Sequence, residues 1–174
     1  PATVSGSFYP SDPDTLRNMI ESYLDKEKPA RINDDIIGIV VPHAGYVFSG
    51  WVAGQAYKEV IGKKYDAVIV IGPSHTTYFE GSSVFKGDGY VSPLGVVNVD
   101  KELAKEIANY GNGVKLSMEG HTWTDTRNEH SIEVQIPFIQ VALPNVPIVP
   151  ICFGSQDSET ADELMQAIVS SVKK

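Results

Sequence analysis

IIGIVV (36–41) leads into PHAGY (42–46), and AVIVI (67–71) leads into GPSH (72–75), so two hydrophobic runs each end in a loop that carries a histidine. Neither run has a polar face, which is typical of parallel strands covered by helices on both sides. The residues between the runs have helical spacing, with Ser49 as a cap, and a strand-helix-strand order of this length predicts a right-handed parallel crossover. Both histidines would then follow the carboxyl ends of strands, the edge at which open α/β sheets bind ligands.

The rest of the chain continues this alternation of helices and strands. The expected elements are a helix over 13–26, the strand 36–41, a helix over 49–62, the strand 67–71, short strands or an edge hairpin within 81–99, a helix capped by Asp100, a helix over 129–143 kinked at Pro137, a strand over 148–153 and a helix over 161–172. This order predicts one α/β domain over residues 1–174, a three-layer α/β/α sandwich around a mostly parallel sheet with an edge hairpin.

Composition narrows the class of protein. The 174 residues are 42% hydrophobic and 21% charged, which are ordinary values for a globular chain. A net charge of −8 without a Lys/Arg cluster argues against nucleic-acid binding. No apolar run reaches the roughly 20 residues of a membrane span, no signal peptide is visible, and the single cysteine, Cys152, excludes an intramolecular disulfide. We therefore expect a cytoplasmic protein that contacts neither nucleic acid nor membrane.

His43 and His75 are the strongest candidates for chemistry. Each would end a strand, and a proline within the two preceding residues, Pro42 or Pro73, stiffens the backbone that aims the ring. Neutral imidazole is a ligand for iron, zinc, copper and nickel. The two histidines therefore predict a divalent metal site at the carboxyl edge of the sheet.

Further candidates flank these histidines. Ser74, Glu129 and His130 are predicted to line the pocket, with Glu129 and His130 opening a helix where they could equally serve as a cap. Tyr46 offers an aromatic wall or a core contact. Cys152 lies near the end of a buried strand, where it is a third ligand or, more in keeping with the burial of cysteine, a core residue. His121, Asp125 and Arg127 are on the loop before Glu129 and could close over a site, but are predicted to be solvated.

Five ordered motifs resemble the MEMO family. They are GSFYP (6–10), PHAGY (42–46) with Ser49-Gly50, GPSH (72–75), SPLG (92–95) and EHSIEVQ (129–135) with Pro137-Phe138. The resemblance implies a fold similar to class III extradiol dioxygenases, in which non-haem iron is held by two histidines and a carboxylate. It places His43 and His75 at the histidine positions.

The resemblance also implies what a complete site would need. Its third ligand is a cysteine and its base belongs to a Ser-Asp-x-x-His segment, and both would lie beyond Lys174, in a C-terminal third that this sequence does not contain. The function expected is a metal-dependent, dioxygenase-like oxidoreductase using Fe(II), with copper or zinc as other metals. Alternatives are a non-catalytic binding or adaptor module that uses the same crevice for a small-molecule or peptide ligand, and a zinc metallohydrolase.

Overall fold

The chain folds into a mixture of helices and strands in this computed structural model, which describes residues 2–25, 30, 32, 34–121 and 129–172. The elements are α1 (Pro13–Asp25), α2 (Tyr46–Lys58), β1 (Val68–Pro73), β2 (Ser82–Phe85), β3 (Gly89–Ser92), β4 (Gly95–Asn98), α3 (Lys101–Ala108), β5 (Val114–Ser117), a 3-10 turn (Glu133–Gln135), α4 (Ile136–Ala142), β6 (Ile148–Phe153) and α5 (Ser158–Val172). They form a four-stranded sheet and a two-stranded hairpin, β3–β4. The predicted α/β class is confirmed, and this content is consistent with the predicted sandwich.

The chain divides into two compact units, so the single domain over 1–174 stays a prediction. Unit 1 comprises Pro1–Asp66, Tyr90–Val97 and Glu133–Val146. Unit 2 comprises Ala67–Gly89, Asn98–Ile132 and Pro147–Lys174. Each unit has its own buried core.

Unit 1 is built on helices α1, α2 and α4, which pack on one another. Asp12 caps the start of α1, because its Oδ1 accepts from the Thr15 amide at 2.8 Å. The apolar stripe of α1 buries Leu16, Ile20 and Leu24. At the centre, the ring of Phe138 stacks on Tyr57 with centroids 5.0 Å apart.

Unit 2 holds the main sheet, in the order β1-β6-β2-β5. β1 pairs with β6 and β2 with β5 in parallel, while β2 and β6 are antiparallel. Helices α3 and α5 pack on each other, and α3 also packs on the strands. Asp100 caps α3 as predicted, since its side chain accepts from the Leu103 amide at 3.0 Å. The sheet is therefore mostly parallel, with β6 at its interior.

The predicted strand over 36–41 is wrong for this structure, and so is the parallel crossover built on it. Residues 35–44 have no strand assignment, and the side chains of Ile37 and Val40 are 100% exposed. The physical reason is pairing, because an apolar run becomes a strand only when a neighbour supplies ladder hydrogen bonds and covers its faces. Among the described residues, no strand pairs with 36–41.

Other elements also differ from expectation. α2 starts at Tyr46, ahead of the predicted cap Ser49. The helix expected over 129–143 starts only at Ile136, so Glu129 and His130 precede it. Pro137 lies in its first turn, where a backbone N–H has no acceptor within the helix, so the proline causes no kink. β2 lies inside the main sheet and β5 was not predicted.

Among the described helices, none combines the length and the apolar character needed to cross a bilayer.

Candidate functional site

His75 lies just past the end of β1, where the turn that carries it is held from both sides. The Ser74 amide donates to the Phe153 carbonyl at 2.8 Å, which extends the pairing of β1 and β6 by one residue. The Ser74 hydroxyl donates to the Thr77 carbonyl at 2.6 Å and closes a tight turn around His75. The strand end predicted for His75 is thus observed, and Ser74 shapes its loop.

The segment 129–132 is anchored to the same strand end by Ser131. Its hydroxyl donates to the Pro73 carbonyl at 2.8 Å. Gly72 permits this approach, because a Cβ at that position would come within 2.6 Å of the Ser131 hydroxyl oxygen. A side chain at residue 72 would therefore push Glu129 and His130 away from His75.

Glu129 is the centre of the cluster, although its side chain is only 5% exposed. One carboxylate oxygen, Oε2, accepts from the His75 amide at 2.6 Å. The other, Oε1, accepts from the amides of His130 at 2.8 Å and Ser131 at 3.0 Å, and lies 3.2 Å from the His75 Nδ1 atom. A buried carboxylate is acceptable here because it is hydrogen-bonded on both oxygens.

These contacts determine the ionisation of Glu129 and the tautomer of His75. Burial raises the pKa of Glu129. The hydrogen bonds from the amides of Ser131, His75 and His130 and from the His75 ring lower the pKa by more than burial raises it, so it lies below its ordinary value. An ionised carboxylate only accepts hydrogen bonds, so Nδ1 of His75 must carry the proton. In the neutral ring the lone pair is then on Nε2.

His130 completes a group with metal-binding chemistry. Its ring stacks on that of His75, with centroids 4.5 Å apart and an interplanar angle of 28°. Ligand atoms of His75, Glu129 and His130 lie within 4.8 Å of one another, and this set of two imidazoles and one carboxylate could hold a metal ion. Of the four contacts that Glu129 accepts, three are on Oε1, including the one that faces the His75 ring, and one is on Oε2. Glu129 can therefore orient the His75 ring.

The other predicted site residues of unit 1 have different surroundings. Tyr46 is buried, and its hydroxyl donates to the Val134 carbonyl at 2.7 Å within the core of unit 1. His43 is half-buried, just before α2. The ligand role of His43 and the pocket-lining role of Tyr46 stay predictions.

Cys152 behaves as a core residue rather than a ligand. It is fully buried in β6, and a Cβ on Gly120 would come within 2.5 Å of its Sγ atom. Burial raises the pKa of the Cys152 thiol to about 12, and the nearby charge of Glu129 raises it as well. A thiol held protonated in this way is a poor ligand and a poor nucleophile.

His121, predicted to be solvated, is instead half-buried and packed within unit 2, which corrects that expectation. Asp125 and Arg127 lie outside the described residues. The Nε2 atom of His121 lies 2.8 Å from the Ser83 carbonyl, and its ring contacts Phe85 with centroids 5.1 Å apart. Burial lowers the pKa of His121 to about 4, although the Ser83 carbonyl and the charge of Glu129 oppose the shift. The neutral ring therefore donates from Nε2 to Ser83.

This pKa gives a stability profile that can be measured. The unfolded histidine titrates near 6.5 and the folded one near 4, so the unfolded chain binds more protons between these values and stability falls as pH falls through that window. The expected loss is about 3 kcal/mol, complete below roughly pH 4. Denaturant unfolding of the wild type and of His121→Gln at several pH values measures it, because the difference between the two curves isolates this residue. Parallel curves would contradict the prediction.

Comparison with known proteins agrees with the sequence motifs. The family model described as Memo-like protein matches residues 1–174. A MEMO1 family protein of Thermococcus onnurineus is 38% identical over 176 residues, covering 98% of this chain and 58% of the relative. One of Methanosarcina barkeri is 40% identical over 172 residues, covering 98% and 60%, and one of Methanobrevibacter smithii is 35% identical over 181 residues, covering 98% and 62%.

The match is extensive on this chain and partial on its relatives. The chain spans about three fifths of the length of these curated relatives. The predicted resemblance is confirmed over the whole chain, at the level of the family. The chain belongs to the family of Memo-like proteins.

Proposed function

We propose that this chain carries part of a non-haem metal centre in which His75 binds the metal through Nε2 and Glu129 orients the ring. The observation that carries the proposal is the contact of 3.2 Å between Glu129 Oε1 and His75 Nδ1. A metal-ligating histidine usually donates its second ring N–H to a carboxylate or carbonyl, which fixes the tautomer and raises the basicity of the ligand nitrogen.

The donor set supports a divalent transition metal. Two stacked imidazoles, His75 and His130, offer nitrogen ligands, which suit Fe(II), zinc and copper and fit poorly with calcium or magnesium. Of these metals we propose Fe(II), and we propose His43 as a second ligand, both on the family resemblance alone. His130 is the further nitrogen donor beside His75.

The activity proposed is oxidoreduction of the dioxygenase-like type. When bound, Fe(II) would supply open coordination positions for O₂ and for an aromatic or phenolic substrate. The chain itself supplies the aimed ring of His75 and the buried charge of Glu129, and Gly72 admits the segment that carries this charge. The third ligand and the base, which the family resemblance places beyond Lys174, belong to the same proposal.

Anaerobic titration with Fe(II) against a chromophoric chelator tests the site. We expect one Fe(II) per chain, and we expect His75→Ala to weaken binding by more than about a hundredfold, because removing a ligand costs more than the 10- to 100-fold of removing its orienting partner. His43→Ala should weaken binding as well. His121→Gln is the matched control, since His121 donates to the Ser83 carbonyl and does not belong to the cluster of His75, Glu129 and His130.

Two outcomes would reject the metal centre. The first is an absence of stoichiometric uptake of Fe(II), zinc or copper by the wild-type chain. The second is equal affinity in the wild type and His75→Ala. Loss of binding in His75→Ala but not in His43→Ala would retain His75 and reject the second ligand.

A further inference from the structure

The His43 loop (residues 42–46) is held by a buried side chain of the EHSIEVQ motif. Its first four residues have no regular secondary structure, so hydrogen bonds to other segments of unit 1 determine their position. The Nε2 atom of Gln135 donates to the Pro42 carbonyl at 3.1 Å, although the two residues are 93 positions apart in the chain. Gln135 is only 6% exposed. The carbonyl directly before His43 is therefore fixed by a buried residue of unit 1.

A second contact fixes the orientation of the Gln135 amide. Its Oε1 atom accepts from the Tyr57 hydroxyl at 3.1 Å, and burial raises the pKa of Tyr57, so this hydroxyl stays protonated and donates. A carbonyl can only accept, so the NH₂ group of the amide must face Pro42. Tyr57 is itself held in the core, because its ring stacks on Phe138 with centroids 5.0 Å apart. Turning the amide over would place its oxygen against the Pro42 oxygen, so a single orientation is stable.

The backbone that carries Gln135 is fixed as well. It belongs to the 3-10 turn before α4, and the Val134 carbonyl in this turn accepts from the Tyr46 hydroxyl at 2.7 Å. The Tyr46 amide donates to the Phe8 carbonyl at 2.7 Å, where the His43 loop ends. Both ends of the loop are thus tied to other segments of unit 1.

The contact at Pro42 bears on the ring of His43 through the peptide bond. Pro42 and His43 share one planar peptide group, so fixing the Pro42 oxygen restricts the nitrogen and the Cα atom of His43 as well. The proline ring restricts the backbone on the other side of this group. A ligand has to be held within about 0.5 Å of its productive position, and the Cα atom is the point from which the imidazole is aimed. Gln135 can therefore control where the His43 ring is placed.

We propose that Gln135 is a positioning residue for His43, because it holds the Pro42 carbonyl and so presents the imidazole for ligation. This inference rests on the proposed function, in which His43 is a ligand. The EHSIEVQ motif then has a positioning contact at each end, since Glu129 orients the ring of His75 within unit 2. Glu129 acts on the ring itself, whereas Gln135 acts on the backbone before the ligand.

The metal-free chain provides the first test. The backbone order parameter of His43, measured by ¹⁵N relaxation, should be about 0.85 in the wild type and should fall toward about 0.6 in Gln135→Met, which fills similar space without a donor. Gln140→Met is the matched control, because it removes a hydrogen bond from the Ser92 hydroxyl to α4 and should leave this order parameter unchanged. An unchanged order parameter in folded Gln135→Met would overturn the proposal.

Gln135→Asn replaces Gln135→Met if the methionine variant does not fold. It retains the amide but shortens the side chain by one methylene group, so the amide cannot reach both Tyr57 and Pro42. The same fall in the order parameter of His43 is expected, and its absence would overturn the proposal in the same way.

Chelator competition with Fe(II) provides the second test. Gln135→Met should weaken binding by about 10- to 100-fold, the range for a residue that orients a ligand, and Gln140→Met should leave it unchanged. In a His43→Ala background, Gln135→Met should weaken binding no further, because its effect passes through His43. An equal loss in both backgrounds would show a general structural role and overturn the proposal.

The same titrations separate this inference from the proposed function. If His43→Ala binds Fe(II) as tightly as the wild type, or if the wild type binds none, His43 is not a ligand and the role of Gln135 is rejected with it. If His43→Ala weakens binding and Gln135→Met does not, His43 stays a ligand and only the role of Gln135 is rejected.

Discussion

Glu133→Ala is expected to lower the free energy of unfolding by about 3–5 kcal/mol, because Glu133 is the buried acceptor that fixes the amino-terminal segment to the rest of unit 1. Its Oε2 accepts from the Thr3 amide at 3.0 Å and from the Thr3 hydroxyl at 2.6 Å. Its Oε1 accepts from the Val4 amide at 2.9 Å and from the Tyr9 hydroxyl at 2.7 Å. Alanine would leave four donors without their acceptor. Denaturant unfolding followed by circular dichroism measures the loss.

Two further substitutions, Tyr9→Phe and Glu133→Gln, test individual hydrogen bonds of Glu133. Burial raises the pKa of Tyr9, and the Glu133 carboxylate raises it further, so the hydroxyl stays protonated and donates. Tyr9→Phe should therefore cost stability in the wild type and much less in Glu133→Ala, which a double-mutant cycle measures as a coupling energy. Glu133→Gln should also destabilise, since its NH₂ group cannot accept from the two donors that face it.

Glu102 provides the control for a carboxylate without buried partners. Its side chain is 85% exposed, and its ion pair with Lys105 is 2.9 Å long. Glu102→Ala should change the free energy of unfolding by less than about 0.5 kcal/mol. If Glu133→Ala costs no more than Glu102→Ala, the amino-terminal segment is not anchored by this carboxylate.

Elements with strong local signals were predictable from the sequence. α1 and α3 have side-chain caps from Asp12 and Asp100 and a clear apolar stripe, which need no information from the rest of the chain. β1 and β6 are apolar runs that pair in parallel, from Val68 opposite Ile148 to Pro73 opposite Phe153. The segment 36–41 has an equally strong pattern but no strand, because pairing depends on a distant neighbour that a local pattern does not contain.

The helix predicted over 129–143 failed because side-chain hydrogen bonds compete with helix formation. The Glu129 carboxylate accepts from the amides of His130 and Ser131. These hydrogen bonds hold the backbone in a conformation other than the first turn of a helix. Pro137 then fits the first turn of α4 rather than its interior. A periodic apolar stripe cannot reveal either effect.

The candidate site was predictable only in part, for a similar reason. His75 could be identified because it follows an apolar strand. The role of Glu129 could not, since it depends on three backbone amides that converge on one carboxylate only after β1 and the segment 129–132 have packed together. The sequence offers one weak signal, a small residue, Gly72, at the strand end where close approach is needed.

Glu129→Ala is expected to weaken metal binding by about 10- to 100-fold and to remove the preference of His75 for the Nδ1–H tautomer. The physical reason is the Oε1 to Nδ1 contact of 3.2 Å, in which an ionised carboxylate can only accept. Long-range ¹H–¹⁵N correlation spectra of the metal-free chain at about pH 8.5 identify the protonated nitrogen directly. Chelator competition with Fe(II) gives the affinity. Glu129→Gln, which retains one acceptor oxygen, should have an intermediate effect on both.

His121 is an internal reference in the same spectra. Its Nε2 atom faces the Ser83 carbonyl at 2.8 Å, so its neutral ring must be the Nε2–H tautomer, opposite to that of His75. The Nε2–H tautomer of His121 should be the same in the wild type and in both variants, which would show that the fold around Ser83 has survived. A structural role alone would lower stability and leave the tautomer of His75 unchanged. If the tautomer of His75 changes but the metal affinity does not, Glu129 orients a ring that is not a ligand. If His75 is protonated at Nε2 in the wild type, the orienting role of Glu129 is wrong.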